Sequence, residues 1–522
     1  MEIVHALLAL IAACVVFALV ARHARLPYAV ILVLGGMALA FIPGLPHVTL
    51  DPEIALAFFL PPLLQASAWR TDWPAFRSNL RPIMLLAVGA VIFTTIVVAV
   101  VIKALVPGLP WAAAIALGAI VAPPDAVAAE AVLSRVRLPR RIVTVLQGES
   151  LINDASALVI YRTAVATVTV GILEWAPGEF VWVAAGGLAL GWALALMAEF
   201  VMRRLRDTLL EIITSFLFCF AAFLVGEAIH VSGVIAVVTL GVILGRRQHT
   251  LLSSRTRMDA RAVWNFVEFV LNSLIFILIG LQLRGILIRL DAWHWTELLA
   301  IALAVSVTLI VARFVWVFPA TWVPRLIPAI ARRDPTPPWQ HSVIISWAGM
   351  RGVVSLAAAL ALPLAFPERD LIVFVAFCAI LATLVLQGTT LEWLIRRLGV
   401  EEGGRAGPNL AEAEARRLVA KATLAALHQR AQDPLDGAIA SDLLPEYRDK
   451  ARVLEGIGTG ATEAELAARL QLRLMALRAG REELLRHHRE TALHAELMAG
   501  LEEELDFEEL RLQSLLGVRG HG

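Results

Sequence analysis

Apolar residues run through this chain in blocks of the roughly 17 to 25 residues needed to cross a hydrocarbon core, and the blocks recur from the N-terminus to about residue 397, then stop. They predict membrane spans at 3–22, 27–43, 52–69, 82–106, 111–133, 142–170, 179–202, 209–229, 231–245, 262–283, 296–323, 340–363 and 371–395. The blocks at 27–43 and 231–245 are short, and one tilted helix over 209–245 is the main competing segmentation. Beyond the linker EEGGRAGPN, which opens at residue 401, the pattern changes to apolar positions at helical spacing among charges, over 411–431 and 461–490. The expected fold is an all-α polytopic membrane domain of about thirteen helices over 1–400, followed by a helical tail over 401–522.

Composition agrees: of 522 residues 59% are hydrophobic and 17% charged, and the mean hydropathy is +0.75, far from a soluble protein. Charge adds the orientation. Residues 1–400 contain 29 Lys and Arg; alternate threading of the spans puts 22 in one set of loops and three (Arg284, Arg289, Arg369) in the other. Positively charged loops stay in the cytoplasm, so the N-terminus is expected outside and the tail inside, in the cell's inner (plasma) membrane. The first block lacks a basic leader and a small-residue cleavage site, and reads as a retained helix. Cys14, Cys219 and Cys378 lie inside apolar blocks at no metal-like spacing and read as small buried hydrophobes. The tail carries 16 basic and 22 acidic residues, a net of −6; such a face is either solvated or drawn to basic loops in a regulatory role.

Ionisable groups inside a bilayer are costly, so each needs a partner, water or a function. Asp125 lies about 21 Å past the outer end of the fifth span, Asp154 about 18 Å past the inner end of the sixth, and Arg351 about 17 Å past the inner end of the twelfth, at 1.5 Å per residue. All three meet near the midplane. The sixth span reads GESLINDASALVIYR, which sets Glu149 with Asn153, and Ser150 with Asp154, at i and i+4 on one helix face. Ser and Asn also serve simply to hold membrane helices together. Pro123 and Pro124 remove two backbone donors just before Asp125, and Gly349 and Gly352 flank Arg351. Both spans are therefore expected to break there, which is tolerated at that depth only where backbone lines a cavity or is buried in protein. With the seventh span as linker, spans 1–6 and 8–13 form two inverted six-helix repeats whose broken helices cross at mid-membrane, as in secondary transporters.

These residues resemble the cation:proton antiporter-1 family, the sodium/proton exchangers, and particularly its bacterial members. FFLPPLLQASAW at 58–69, APPDAVAAEAV at 122–132, GESLINDASALV at 148–159, VEFVLNSLIFILIGLQL at 267–283 and SWAGMRGVVSLAAALALP at 346–363 carry the resemblance. It implies that Asp154 is the ion- and proton-binding carboxylate, with Ser150 as a neighbouring oxygen ligand of Na+. Asn153 matches the amide of the family's Asn-Asp pair, and Glu149 and Arg351 match a buried ion pair. Asp125 matches the acid at the helix crossing, where it balances helix-end partial charges. Two departures stand out. Pro124-Asp125-Ala126 replaces the usual Thr-Asp-Pro, leaving the carbonyl of Pro124 but no threonine side chain, and Ala66, beside Gln65, replaces a frequent glutamate.

The expected activity is exchange of a monovalent cation, Na+ ahead of K+ or Li+, for a proton by competition at Asp154, one for one and electroneutral, with alternating access. No cofactor is expected. The partners are the cation, the proton, the lipid bilayer and a second copy of the chain, with no nucleic acid. The alternative is a non-exchanging channel or a transport-fold sensor of pH or ions. An intramembrane enzyme has little support, because Ser150 sits in GESLI rather than G-x-S-x-G and there is no H-E-x-x-H.

Overall fold

A bilayer supplies no partners for backbone N–H and C=O groups, so the apolar blocks fold as helices that satisfy those groups internally. The computed structural model describes residues 2–515 apart from 25, 43–51, 126–128, 130–131, 133–135, 137, 171–176, 206, 291–292, 401–409, 433–436, 456–459 and 492–494. Most of the second half of the predicted fifth span thus lies outside the described residues. The chain divides into two compact units, Met1–Gly403 and Gly404–Gly522.

In the first unit, α1 (Glu2–Ala24), α2 (Tyr28–Ala40), α3 (Pro52–Arg70) and the short α4 (Trp73–Ser78) lead into α5 (Leu80–Leu105), α6 (Trp111–Val121), α7 (Arg140–Val170) and α8 (Pro177–Met202). There follow α9 (Thr208–Ala228), α10 (Gly233–Leu251), α11 (Ser254–Ile288), α12 (Trp295–Trp322), the short α13 (Pro328–Arg333), α14 (Trp339–Trp347), α15 (Val353–Leu360) and α16 (Arg369–Leu398). No strand occurs among the described residues. Six helices (α5, α8, α9, α11, α12 and α16) are long and apolar enough to cross a membrane by length and composition.

The faces follow from the sequence. On α12, Leu299, Leu303, Val307, Val311 and Val315 recur every fourth residue and are exposed, while Leu298, Val305 and Leu309 are buried. An outward apolar stripe of this kind suits lipid and not water. A single helix over 209–245 is excluded: His230 adopts a left-handed φ of 58°, and Ser232 caps the new helix α10 by accepting a hydrogen bond from the Ile235 N–H. Helices α2 and α11 touch backbone to backbone; a Cβ on Gly36 would lie 2.3 Å from the Ile277 carbonyl, and one on Gly280 2.3 Å from that of Val33.

One irregularity positions the centre of the unit. Residues Leu85–Ala90 of α5 form a π-helical turn, a wider turn often found at functional sites. The Trp316 indole on α12 donates to the Leu85 carbonyl there at 2.8 Å, tying α5 to α12.

The second unit is built from α17 (Leu410–Arg430), α18 (Gly437–Glu455), α19 (Gly460–Thr491) and α20 (Ala495–Leu515), packed as α17 on α18 and α19 on α20. Arg481 of α19 bridges Asp506 and Glu509 of α20.

Candidate functional site: two helix breaks and a buried carboxylate

Helix α6 stops at Val121, just ahead of Pro123 and Pro124, which have no N–H to continue its ladder. Its continuation Ala122–Asp125 is non-helical. Across from it, α14 ends at Trp347 and α15 begins at Val353, leaving Ala348–Gly352 non-helical. The two interruptions meet. The Asp125 N–H donates to the Met350 carbonyl at 2.7 Å, and the Arg351 guanidinium donates to the Ala122 carbonyl. Arg351 is 1% exposed, and its own N–H donates to the Thr383 hydroxyl of α16 at 3.1 Å. Arginine here supplies a donor to a backbone carbonyl of the interrupted segment.

The Asp125 carboxylate lies directly over Gly352, where a Cβ would fall 1.7 Å from Oδ2. Gly352→Ala must therefore displace Asp125 or the break itself. Overpacking of this kind costs about 1–3 kcal/mol, which is expected to lower the initial exchange rate about fivefold or more. Gly388→Ala, whose new Cβ meets its neighbours at an ordinary 3.4 Å, is expected to match wild type in the same vesicle flux assay.

Helix α7 brings the remaining groups. Asn153 is fully buried, and its amide donates to the Pro124 carbonyl at 2.8 Å, while its Oδ1 has no hydrogen-bond partner among the described residues. Ser150 is half-buried one turn before Asp154. Asp154 is 8% exposed and close enough to Asp125 for their charges to interact. No hydrogen bond holds the Asp154 carboxylate among the described residues. Helix α3 packs on the same stretch: Leu64 and Ala66 share an apolar cluster with Ala155, and Ala68 with Leu151. Between them Gln65, 0% exposed, has neither amide atom hydrogen-bonded among the described residues. Sequence reading placed Gln65 beside a missing glutamate but gave it no role.

One expected pairing is corrected. Glu149 binds Arg313 of α12 and not Arg351: Nη1 and Nη2 of Arg313 reach the two carboxylate oxygens at 2.6 and 2.8 Å, with both residues at most 3% exposed. Arg313 Nε also donates to the Ile345 carbonyl of α14 at 3.1 Å, so one guanidinium joins α7, α12 and α14. Depth carried the signal. Glu149 is nine residues past Arg140 and Arg313 nine before Trp322, so each lies about 14 Å from the same end of its helix.

Among the described residues, the centre thus holds the carboxylates of Asp125, Glu149 and Asp154 against the guanidiniums of Arg313 and Arg351. One negative charge is left over, the charge that a single proton or a single monovalent cation would balance.

Comparison with known proteins agrees with this chemistry. The family described as sodium/hydrogen exchanger, transmembrane, matches residues 6–397. The chain belongs to that family. This exchanger is 33% identical over 531 residues, 97% of its own length and 95% of the other's, to an uncharacterized Na+/H+ exchanger of Mycobacterium tuberculosis. It is 35% identical over 379 residues, 69% of its length and 56% of the other's, to a sodium, potassium, lithium and rubidium/H+ antiporter of Bacillus pumilus. The solved sodium proton antiporter of Methanocaldococcus jannaschii shares the fold, at 18% identity and a TM-score of 0.59 over 76% of this chain and 99% of that one.

Proposed function

We propose that the exchanger moves Na+ against H+ by letting the two compete for Asp154. The observation that carries this reading is the charge balance among the described residues: there Asp154 is buried, has no hydrogen bond, and supplies the one negative charge that the neighbouring arginines leave uncompensated. A carboxylate in that position accepts a proton or a hard cation, and holding both would reverse the local charge. The Ser150 hydroxyl, the Asn153 Oδ1 and the Pro124 carbonyl supply further oxygens on the same side. The Pro124 carbonyl has a second lone pair beyond the one taken by Asn153.

Because one charge replaces one charge, exchange is one for one and electroneutral. Alternating access moves the broken helices and α7 as a body past the remaining helices. We place the exchanger in the plasma membrane with its N-terminus outside and its tail in the cytoplasm, as a homodimer. The tail reads as a regulatory unit. Membership of an exchanger family disfavours a conducting channel or a sensor.

The test is flux in proteoliposomes containing the purified full-length chain. A sodium gradient is expected to drive saturable counterflow of protons, with an initial rate unchanged when the membrane potential is clamped at different values. Sodium movement with no coupled proton flux would overturn exchange. A rate that follows the potential would overturn electroneutrality alone. Repeating the assay with K+ and Li+ ranks the ions.

A further inference from the structure

At the inner ends of α5, α7 and α12, well away from Asp154, three arginines converge on one carboxylate. Arg81 and Arg141 each reach Asp334 at 2.5 Å, and Arg325 reaches it at 2.8 Å. They rim a cavity of about 40 Å³ whose deeper wall is apolar, with Leu85 and Val317, and whose lining includes His341. By the 10–15 Å³ that one water needs, this is room for about three water-sized groups, comparable to the oxygens of one phosphoryl group.

The charges do not cancel. Burial works against ionisation of Asp334, but hydrogen bonds from Arg141 and Arg325 and their positive fields outweigh it and hold that carboxyl below its ordinary range. It therefore stays ionised near neutrality, and three guanidiniums against one carboxylate leave a net +2. The donors are not used up either. Arg325 spends its groups on the Asp334 carboxylate and carbonyl and on the Thr321 carbonyl, and so acts as scaffold. Among the described residues Arg81 and Arg141 each use only Nη2, and the buried Arg81 Nε has no partner. Ile142, in the first turn of α7, also lines the cavity, so the positive end of that helix dipole adds to the field.

We propose that this cavity binds a phosphate-type oxyanion, gripped by the free N–H groups of Arg81 and Arg141, whose planar forks match phosphate geometry. The anion comes either as the headgroup of an anionic phospholipid or as free phosphate. Its seat lies at the base of α7, the helix that carries Asp154.

The full-length protein in detergent micelles separates the sources. One arm titrates inorganic phosphate against chloride at equal ionic strength; the other titrates phosphatidylglycerol against phosphatidylcholine; thermal stabilisation is read in both. Saturable stabilisation by phosphate identifies the free anion, and stabilisation by phosphatidylglycerol alone identifies the lipid headgroup. In the productive arm Arg81→Gln and Arg141→Gln are each expected to weaken the apparent affinity about tenfold, the effect of losing one charge-assisted contact. Asp334→Asn, which removes the competing carboxylate, is expected to tighten it. The proposal is overturned if neither ligand stabilises beyond its control, or if Arg81→Gln and Arg141→Gln respond as wild type does.

Discussion

Asp154→Asn is expected to reduce sodium-driven proton flux to the level of empty vesicles while leaving the protein folded. The amide nearly matches the carboxylate in size, so the packing of α7 against α3 around Leu151 and Ala155 is kept. What disappears is the single uncompensated charge. With asparagine at 154, Asp125 and Glu149 balance Arg313 and Arg351, and the empty site is neutral: a proton has no carboxylate to occupy, and a sodium ion would bring an unbalanced charge into the bilayer, which costs several kcal/mol. Each 1.4 kcal/mol is a factor of ten, so the loss is beyond the range of an ordinary flux assay. Thermal midpoints measured beside the flux separate this result from misfolding. If the folded variant sustained flux at the wild-type rate, Asp154 would not be the exchange carboxylate and the charge balance would need another centre.

Much of this site is legible in the sequence because its parts are expensive. Two prolines ahead of an aspartate, or an arginine between glycines, survive in a membrane span only where something repairs them, and the repairs are found in each other: Asp125 on Met350, Arg351 on Ala122. The helices are legible for the same reason, since a bilayer admits few alternatives. What does not show is which buried charge pairs with which. Glu149 has two candidate arginines, and helical spacing within α7 says nothing about rotation or depth of α12 and α14 against it. Gln65 is a similar case. Its neighbours Leu64, Ala66 and Ala68 read as ordinary helix packing, and only the fold shows its amide buried among them with no hydrogen bond among the described residues. The Arg81, Arg141, Arg325 and Asp334 cluster escapes for a different reason: its arginines read as members of positively charged loops, and their convergence on one side chain from positions up to 253 residues apart is a property of the folded chain.

The pairing of Glu149 with Arg313 makes the second large prediction. Glu149→Gln leaves a buried guanidinium with no counter-charge, and Arg313→Met leaves a buried carboxylate in the same position; each is expected to cost about 3–5 kcal/mol of stability. Because two single changes strand the same charge pair from opposite sides, the double variant Glu149→Gln with Arg313→Met is expected to be far more stable than the sum of the singles predicts. Residues in direct contact show interaction energies of about 0.5–3 kcal/mol in such cycles, and a bidentate pair at 3% exposure or less belongs at the upper end. The matching cycle with Arg351→Met is expected to be closer to additive, since Arg351 spends its guanidinium on the Ala122 carbonyl and interacts with Glu149 only through space. Arg313→Lys keeps the charge but places one ammonium where a fork spans two carboxylate oxygens and the Ile345 carbonyl, so it is expected to recover part of the lost stability and not all of it. Thermal or denaturant unfolding in detergent reads all of these variants. A larger coupling in the Arg351 cycle than in the Arg313 cycle would reverse the assignment and return Arg351 to the role that the family resemblance implied for it.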